Sequence, residues 1–492
     1  VKAESGRSGR NERLLLAGIL LGALAFRLGV FLAVYAEDPT RILTADSMSY
    51  VDSARALVQV GRFALAPDLP DVPQTVRTPG YPLFIAGLYA IFGERHAPVI
   101  LAQLVVSVAT VGLVYLIGVR FWGATAATMA ILILALDYTT FLYSQLLLTE
   151  TLFTFALVLT VWIAIRFLLA EQRRPRYALY LGLGLALQAL IRPISYYLIF
   201  VILPGVLLIG TRSRWKRKEL ATVSLLILLP WVLLVGGWQV RNWLETGSWE
   251  FSHIRGVNLL AYRGADIVAK RDGISLEAAR QSIQETIGDT EGMSEGERSE
   301  LFARKGLELI RRYPLLFAQS QLQGAAKMML VPGEGGLLEY LGMPPGDEGA
   351  LGDVLRLSIP DYLHKWLVGR SIQFLIFMAA GLYLVGLYGL AAGGVWHSLV
   401  RDRFQRFAHL LVLGIILYFV VVSAGPEAYA RFRVPIMPFL VLYAGRGVAR
   451  VADRLGARRT GAERSISRPI GVGAVGPQTG IPDMVEEEGN GG

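Results

Sequence analysis

The sequence predicts an all-α polytopic membrane protein: a bundle of about ten transmembrane helices, juxtamembrane helices and an α-rich domain outside the bilayer. Three observations carry that expectation. Hydrophobic residues make up 53% of the 492-residue chain and charged residues only 18%, with a mean hydropathy of +0.47, which sets it apart from ordinary soluble enzymes. Apolar runs of about 20 residues, the length that crosses the hydrocarbon layer, recur from end to end. Arginine and lysine gather at alternate ends of those runs.

The runs fall at 13–35, 98–118, 124–143, 149–169, 177–191, 194–210, 219–238, 371–392, 407–423 and 434–449. The first is too long for a signal peptide and has no small-residue cleavage site behind it, so it reads as a retained span. With both termini cytoplasmic, one side receives Lys2, Arg7, Arg10, Arg120, Arg173, Arg174, Arg176 and the 212–218 cluster. The same side receives Arg401, Arg403, Arg406, Arg446, Arg450, Arg454 and Arg458, as the positive-inside rule requires of a plasma (bacterial inner) membrane protein. The expected organisation is a cytoplasmic N-terminus at 1–12 and a transmembrane module at 13–240 with an exterior loop at 36–97. An exterior domain at 241–370, C-terminal transmembrane helices at 371–450 and a cytoplasmic, largely disordered tail at 451–492 follow.

Outside the spans the elements are shorter. Leu83–Phe92 is apolar but only about ten residues long, which suits an interfacial helix within 79–92; the alternative, a short span there, would disturb the charge pattern. Ser275 is placed to cap a helix through Leu276–Ile287, and Ser294-Glu295-Gly296-Glu297 is a capping box before a helix that Pro314 ends. Leu315–Leu330, apolar but interrupted by Gln319, Gln321, Gln323 and Lys327, reads as a helix on the membrane surface. Gly333–Gly352 reads as a loop and the chain from Gly461 as disordered. Arg27, inside the first span, either packs into the bundle on exposed carbonyls or snorkels outward.

Composition also excludes chemistries. No cysteine is present, so disulfides, thiolate nucleophiles and cysteine-held metals are ruled out. Five scattered histidines argue against a multi-histidine zinc site, and the expectation is that no cofactor is required and no metal is used. The net charge of +9 sits at membrane faces, which points to membrane lipids and not to nucleic acid as partners.

Threading the spans brings Asp46, Arg77, Asp137, Glu150, Arg192, Glu427, Arg431 and Arg433 to one exterior layer. Ionisable groups at that depth need water or one another. Asp46 suits a base for an incoming hydroxyl or the N-cap of the helix that follows. Glu150 opens a span, where a helix N-terminus favours its charge. Arg77 precedes the stiff Thr78-Pro79-Gly80-Tyr81-Pro82 turn, and Arg192-Pro193 and Arg431-Phe432-Arg433-Val434-Pro435 supply further guanidiniums suited to phosphate or to lipid headgroups. Carboxylates opposed by arginines match sugar transfer from a sugar phosphate, which needs a base for the acceptor and cations for the leaving group. A lipid-linked sugar transporter or flippase would need broken or charged midplane helices and related halves, and neither is visible. A non-catalytic envelope scaffold is the third alternative.

Asp46 with Tyr50, Arg77-Thr78-Pro79-Gly80-Tyr81-Pro82, Thr149-Glu150, Arg192-Pro193 and Arg431-Phe432-Arg433-Val434-Pro435 with Pro438 together resemble the GT-C glycosyltransferases. Protein O-mannosyltransferases and the lipid A aminoarabinose transferase are the most similar groups among them. The resemblance runs from residue 13 to about 450, thinning over 260–370. It implies an inverting transfer from a polyprenyl-phosphate sugar donor to a hydroxyl of an envelope glycan, lipid or protein on the exterior face. It implies Asp46 as base, Glu150 as the second acidic position, and Arg77, Arg192, Arg431 and Arg433 at the donor phosphate. Tyr50, Tyr81, His253, Asn258 and Glu427 are implied as lining the donor or acceptor pocket. Two departures stand out: Asp46 is followed by Ser47 where eukaryotic protein O-mannosyltransferases carry an acidic pair, and the Trp-Trp-Asp motif of metal-dependent oligosaccharyltransferases is absent.

Overall fold

The computed structural model describes residues 2–170, 174–290, 292–344, 371–401 and 405–466. Among them the fold is all-α, with a single isolated backbone bridge between Ala64 and Pro73. Residues Val1–Ala449 form one compact unit and Arg450–Gly492 a second. Among the described residues, eight helical segments are long and apolar enough to cross a membrane: Arg10–Glu37, His96–Trp122, Glu150–Leu168, Pro193–Arg212, Arg217–Thr246, Ile372–Arg401, Arg406–Ser423 and Ala430–Leu455. A ninth is a bent pair, Ala124–Leu136 with Tyr138–Gln145.

The expected span at 177–191 is the helix Pro175–Ile191, whose 17 residues cover about 25 Å at the helical rise. Small residues let it lie close to its neighbours, as is usual where apolar lipid gives helices little reason to associate. A Cβ at Gly182 would overlap the Ile227 carbonyl of Arg217–Thr246, and one at Gly184 would meet the Thr160 hydroxyl at 2.5 Å. The Arg217–Thr246 helix itself continues past residue 240 and stops at Gly247, whose φ of 72° is the left-handed C-terminal stop that glycine favours.

The bent pair departs from the continuous span expected at 124–143, and a broken helix is a feature the sequence did not disclose. The bend is 53° and lies at Asp137, whose carboxylate accepts from the Thr140 amide at 2.7 Å and the Tyr383 hydroxyl at 3.0 Å. Arg27 serves the other side of the break. It is fully buried and donates to the Ala135 carbonyl at 3.2 Å, where a helix C-terminus favours a cation, so it packs into the bundle and does not snorkel.

Beyond the spans, Gly80–Phe92 is a 13-residue helix, too short to cross. Ser275 caps Leu276–Ile287 through the Ala278 amide, and the Ser294–Glu297 capping box opens Glu295–Arg312. Pro314–Leu330 is helical. Two loop expectations need correction. Gly335–Tyr340 is a short helix because Leu338 and Tyr340 are buried there, and Tyr340 donates to Gln145 Oε1 at 3.3 Å; residues 345–352 lie outside the described residues. The last helix, Met437–Ile466, runs past Gly461; 467–492 lie outside the described residues.

Pro314–Leu330 meets the segment that leads to Arg431 through two glycines, and a Cβ on Gly324 would overlap the backbone of Gly425. Gly324→Val should therefore destabilise the protein by about 1–3 kcal/mol, as overpacked interiors do, read as a lower melting temperature in detergent. Gly236→Ala, where a Cβ meets nothing within 4 Å, should leave melting unchanged or raise it. Equal melting of the two variants would show that this contact is not tight.

Candidate functional site

Five charged side chains from five separated stretches of sequence converge at helix ends. Asp46 immediately precedes Ser47–Gln59. Glu150 begins Glu150–Leu168, Arg192 follows Pro175–Ile191 with extended backbone before Pro193, and Arg431 sits in the 3-10 segment Ala430–Ile436. Arg77 lies in the turn before Gly80–Phe92.

Arg431 is the hub. Its Nη1 donates to Asp46 Oδ2 at 2.6 Å and to the Tyr429 hydroxyl at 3.2 Å, while its Nε is bonded to Glu150 Oε1. The same Glu150 oxygen accepts from Arg192 Nη1 at 2.9 Å. Arg77 Nη2 donates to Asp46 Oδ1 at 2.8 Å, Nε to the Ser49 hydroxyl at 3.0 Å and Nη1 to the Tyr50 hydroxyl at 3.2 Å. Its guanidinium also lies 4.7 Å from the centroid of the Tyr50 ring, a cation–π contact.

Three guanidiniums against two carboxylates leave one positive charge over. The carboxylates differ in access: the Asp46 side chain is 39% exposed and that of Glu150 is 0% exposed. Partial burial opposes ionisation of Asp46, but Arg431 and Arg77 outweigh it and hold its carboxyl below the ordinary aspartate value. Its side chain makes no capping bond to the helix it precedes, so the N-cap role that the sequence allowed is not taken up.

The Arg77 turn is fixed from three sides. Gln74 Oε1 accepts from the Val76 and Arg77 amides at 3.1 and 3.0 Å. Arg241 donates to the Gln74 and Phe63 carbonyls, each at 2.8 Å. His253 Nδ1 meets the Thr75 hydroxyl at 2.8 Å while Ser252 donates to the Val76 carbonyl at 2.6 Å. Gly80 must lack a side chain, because a Cβ would stand 2.7 Å from the Leu190 carbonyl; that approach brings the Arg77 turn against the chain just ahead of Arg192.

The other sequence-derived candidates divide. Tyr81 is buried beside Tyr50, edge-on at 5.3 Å, and donates to Gln103 Oε1 at 2.5 Å. Arg433 lies apart from the two acids: its guanidinium is fully buried and donates to the Met328, Met329, Val331 and Pro332 carbonyls at 2.8 to 3.1 Å. A 3-10 helix turns about 120° per residue, so positions two apart point to different sides. His253 is buried and anchors the Arg77 turn; burial lowers its pKa. Glu427 pairs with Arg263 at 3.3 Å, and burial raises its pKa while Arg263 opposes the rise. Asn258 opens a π-helical turn, Asn258–Gly264. No hydrogen bond or ion pair among the described residues links Asn258 or Glu427 to the Asp46 cluster. Ser49, Gln74, Arg241 and Tyr429 belong to the site or its support and were missed. Only Ser49, one helical turn after Asp46, carried a local signal.

A model of the dolichyl-phosphate-mannose-protein mannosyltransferase family matches residues 73–238, less than half of the chain. No curated relative matches. Among solved structures the chain is similar to the oligosaccharyltransferase of Archaeoglobus fulgidus in the apo form, with 14% identity and a TM-score of 0.49 over 91% of this chain and 52% of that one. It is similar as well to ArnT of Cupriavidus metallidurans bound to undecaprenyl phosphate, with 12% identity and a TM-score of 0.41 over 90% of this chain and 63% of that one. The chain thus spans about half the length of the archaeal enzyme.

Proposed function

We propose that this protein is a GT-C-type glycosyltransferase that moves a sugar from a polyprenyl-phosphate donor to a hydroxyl of an envelope glycan, lipid or protein on the exterior membrane face. The observation that carries the reading is the convergence of Arg77, Arg192 and Arg431 on Asp46 and Glu150, with one positive charge in surplus and only Asp46 open. The family-model match over 73–238 supports it, since that stretch contains Arg77, Glu150 and Arg192.

In this reading the donor phosphate lies on the guanidinium side, where forked N–H donors stabilise the charge that develops as it leaves. These cations supply the charge neutralisation that a divalent ion gives elsewhere, so the step calls for no metal. The acceptor oxygen attacks the anomeric carbon from the face opposite the phosphate. The carbon–oxygen bond to phosphate breaks, its electron pair leaves on the phosphate, the acceptor proton passes to Asp46, and the anomeric configuration inverts. Glu150, enclosed by two guanidiniums, orients Arg431 and Arg192 and does not touch the acceptor.

Asp46→Asn should lower transfer from extracted polyprenyl-phosphate sugars by about 10²-fold or more while the protein still inserts and binds the lipid phosphate. Mass spectrometry of released polyprenyl phosphate reads the result, and full activity in the variant would remove Asp46 as the base.

The pH dependence follows from the depressed carboxyl of Asp46. A carboxylate held below its ordinary value stays ionised as pH falls past about 4 and is lost only below that, so the acid limb of kcat/KM in the free enzyme should lie under pH 4. Arg77→Gln removes one of the two cations and should move that limb upward. A limb near pH 6 that ignores the substitution would contradict the assignment.

A further inference from the structure

An open cleft of about 670 Å³ lies beside the Asp46 cluster, within the size range of ligand sites. Ser49, Asp52 and Arg55, at helical spacing along the exposed side of Ser47–Gln59, form one wall; Asp68 and Leu69 of the following loop and Glu94 form the others. The opposite side of that helix buries Tyr50, Val51 and Ala54.

Ser49 belongs to both places. The residue lines the cleft, and its hydroxyl donates to the Asp46 backbone carbonyl at 2.7 Å and accepts from Arg77 Nε at 3.0 Å. The cleft therefore shares Ser49 with the Asp46 and Arg77 pair.

The two regions have opposite electrostatic character. Arg55 is ion-paired to Asp52 at 3.2 Å and to Glu94 at 3.3 Å, so the cleft, with Asp68, carries a negative surplus where the arginine centre carries a positive one. A phosphate is drawn to the second and repelled by the first. Carboxylates and a guanidinium offer acceptors and donors for hydroxyls, and Leu69 gives an apolar contact.

We propose that this cleft is the acceptor subsite and takes a neutral, polyhydroxylated acceptor, a glycan, whose reacting hydroxyl passes Ser49 to reach Asp46. The assignment rests on the proposed sugar transfer, and it separates the acceptor from the phosphate by charge.

Because the chain has no cysteine, Leu69→Cys places a single thiol at the exposed cleft edge, and Ala66→Cys provides a second, half-buried site in the cleft lining. The full chain in nanodiscs is treated with a polyethylene glycol maleimide. Neutral oligosaccharides released from the host envelope should slow modification at least about threefold, and the phosphorylated fraction should not. The modified protein should lose at least about tenfold of its transfer to the neutral fraction and keep its affinity for the lipid phosphate. Unprotected modification at both positions, or unimpaired transfer after modification, would overturn the subsite. Absence of transfer from the unmodified chain would count against the glycosyltransferase reading instead, and protection would still decide the cleft.

Discussion

The structure depends on one guanidinium placed between two carboxylates. Arg431 joins Asp46, from the first loop, to Glu150, at the head of a span, and thereby ties together residues 385 and 281 positions away in sequence. Partly buried charges of this kind lose much solvation, and their mutual attraction repays it only where geometry and further hydrogen bonds are good. Those further bonds exist: Arg192 shares Glu150, Arg77 shares Asp46, and Tyr429 accepts from Arg431. Removing either carboxylate leaves guanidinium charge uncompensated, and removing Arg431 severs the link between the two acids, so the cluster is a fixed object set among helix ends.

The surrounding fold keeps that object in place by close backbone approach. Gly80 against Leu190 joins the Arg77 turn to the chain before Arg192, and Gly324 against Gly425 holds the segment that leads to Arg431. Arg433 completes the support by satisfying the carbonyls at the end of Pro314–Leu330. Two arginines two residues apart thus have opposite tasks, one facing charge and the other backbone.

Much of this was readable in the sequence, because the signals were local. Spans follow from apolar length, Ser275 and Ser294 from capping chemistry, and Asp46, Arg77, Glu150, Arg192 and Arg431 from charge at the end of an apolar run. What was not readable depends on partners distant in sequence. Arg433 matched the pattern of a phosphate ligand, and only the 3-10 geometry turns it to Met328–Pro332. The break at Asp137 has neither proline nor glycine at it; it becomes intelligible once Arg27 is seen on the Ala135 carbonyl and Tyr383 on the carboxylate. Gln74 and Arg241 are unremarkable polar residues until the loop carrying Arg77 folds onto them.

The two acids differ in access, and in the proposed reaction that difference divides their tasks. A carboxylate enclosed by guanidiniums, as Glu150 is, holds cations in register but has no free oxygen edge toward solvent. Asp46 keeps such an edge, yet its two cationic partners make it a weak base while they remain on it. An anion bound to Arg77 and Arg431 competes for those same N–H groups, weakens their hold on Asp46 and raises its basicity. In the glycosyltransferase reading, the donor phosphate is such an anion, so arrival of the donor strengthens the base that the acceptor needs. On that reading the arginine surplus links the two halves of the proposed reaction: it receives the leaving group and, by releasing Asp46, readies the group that takes the proton.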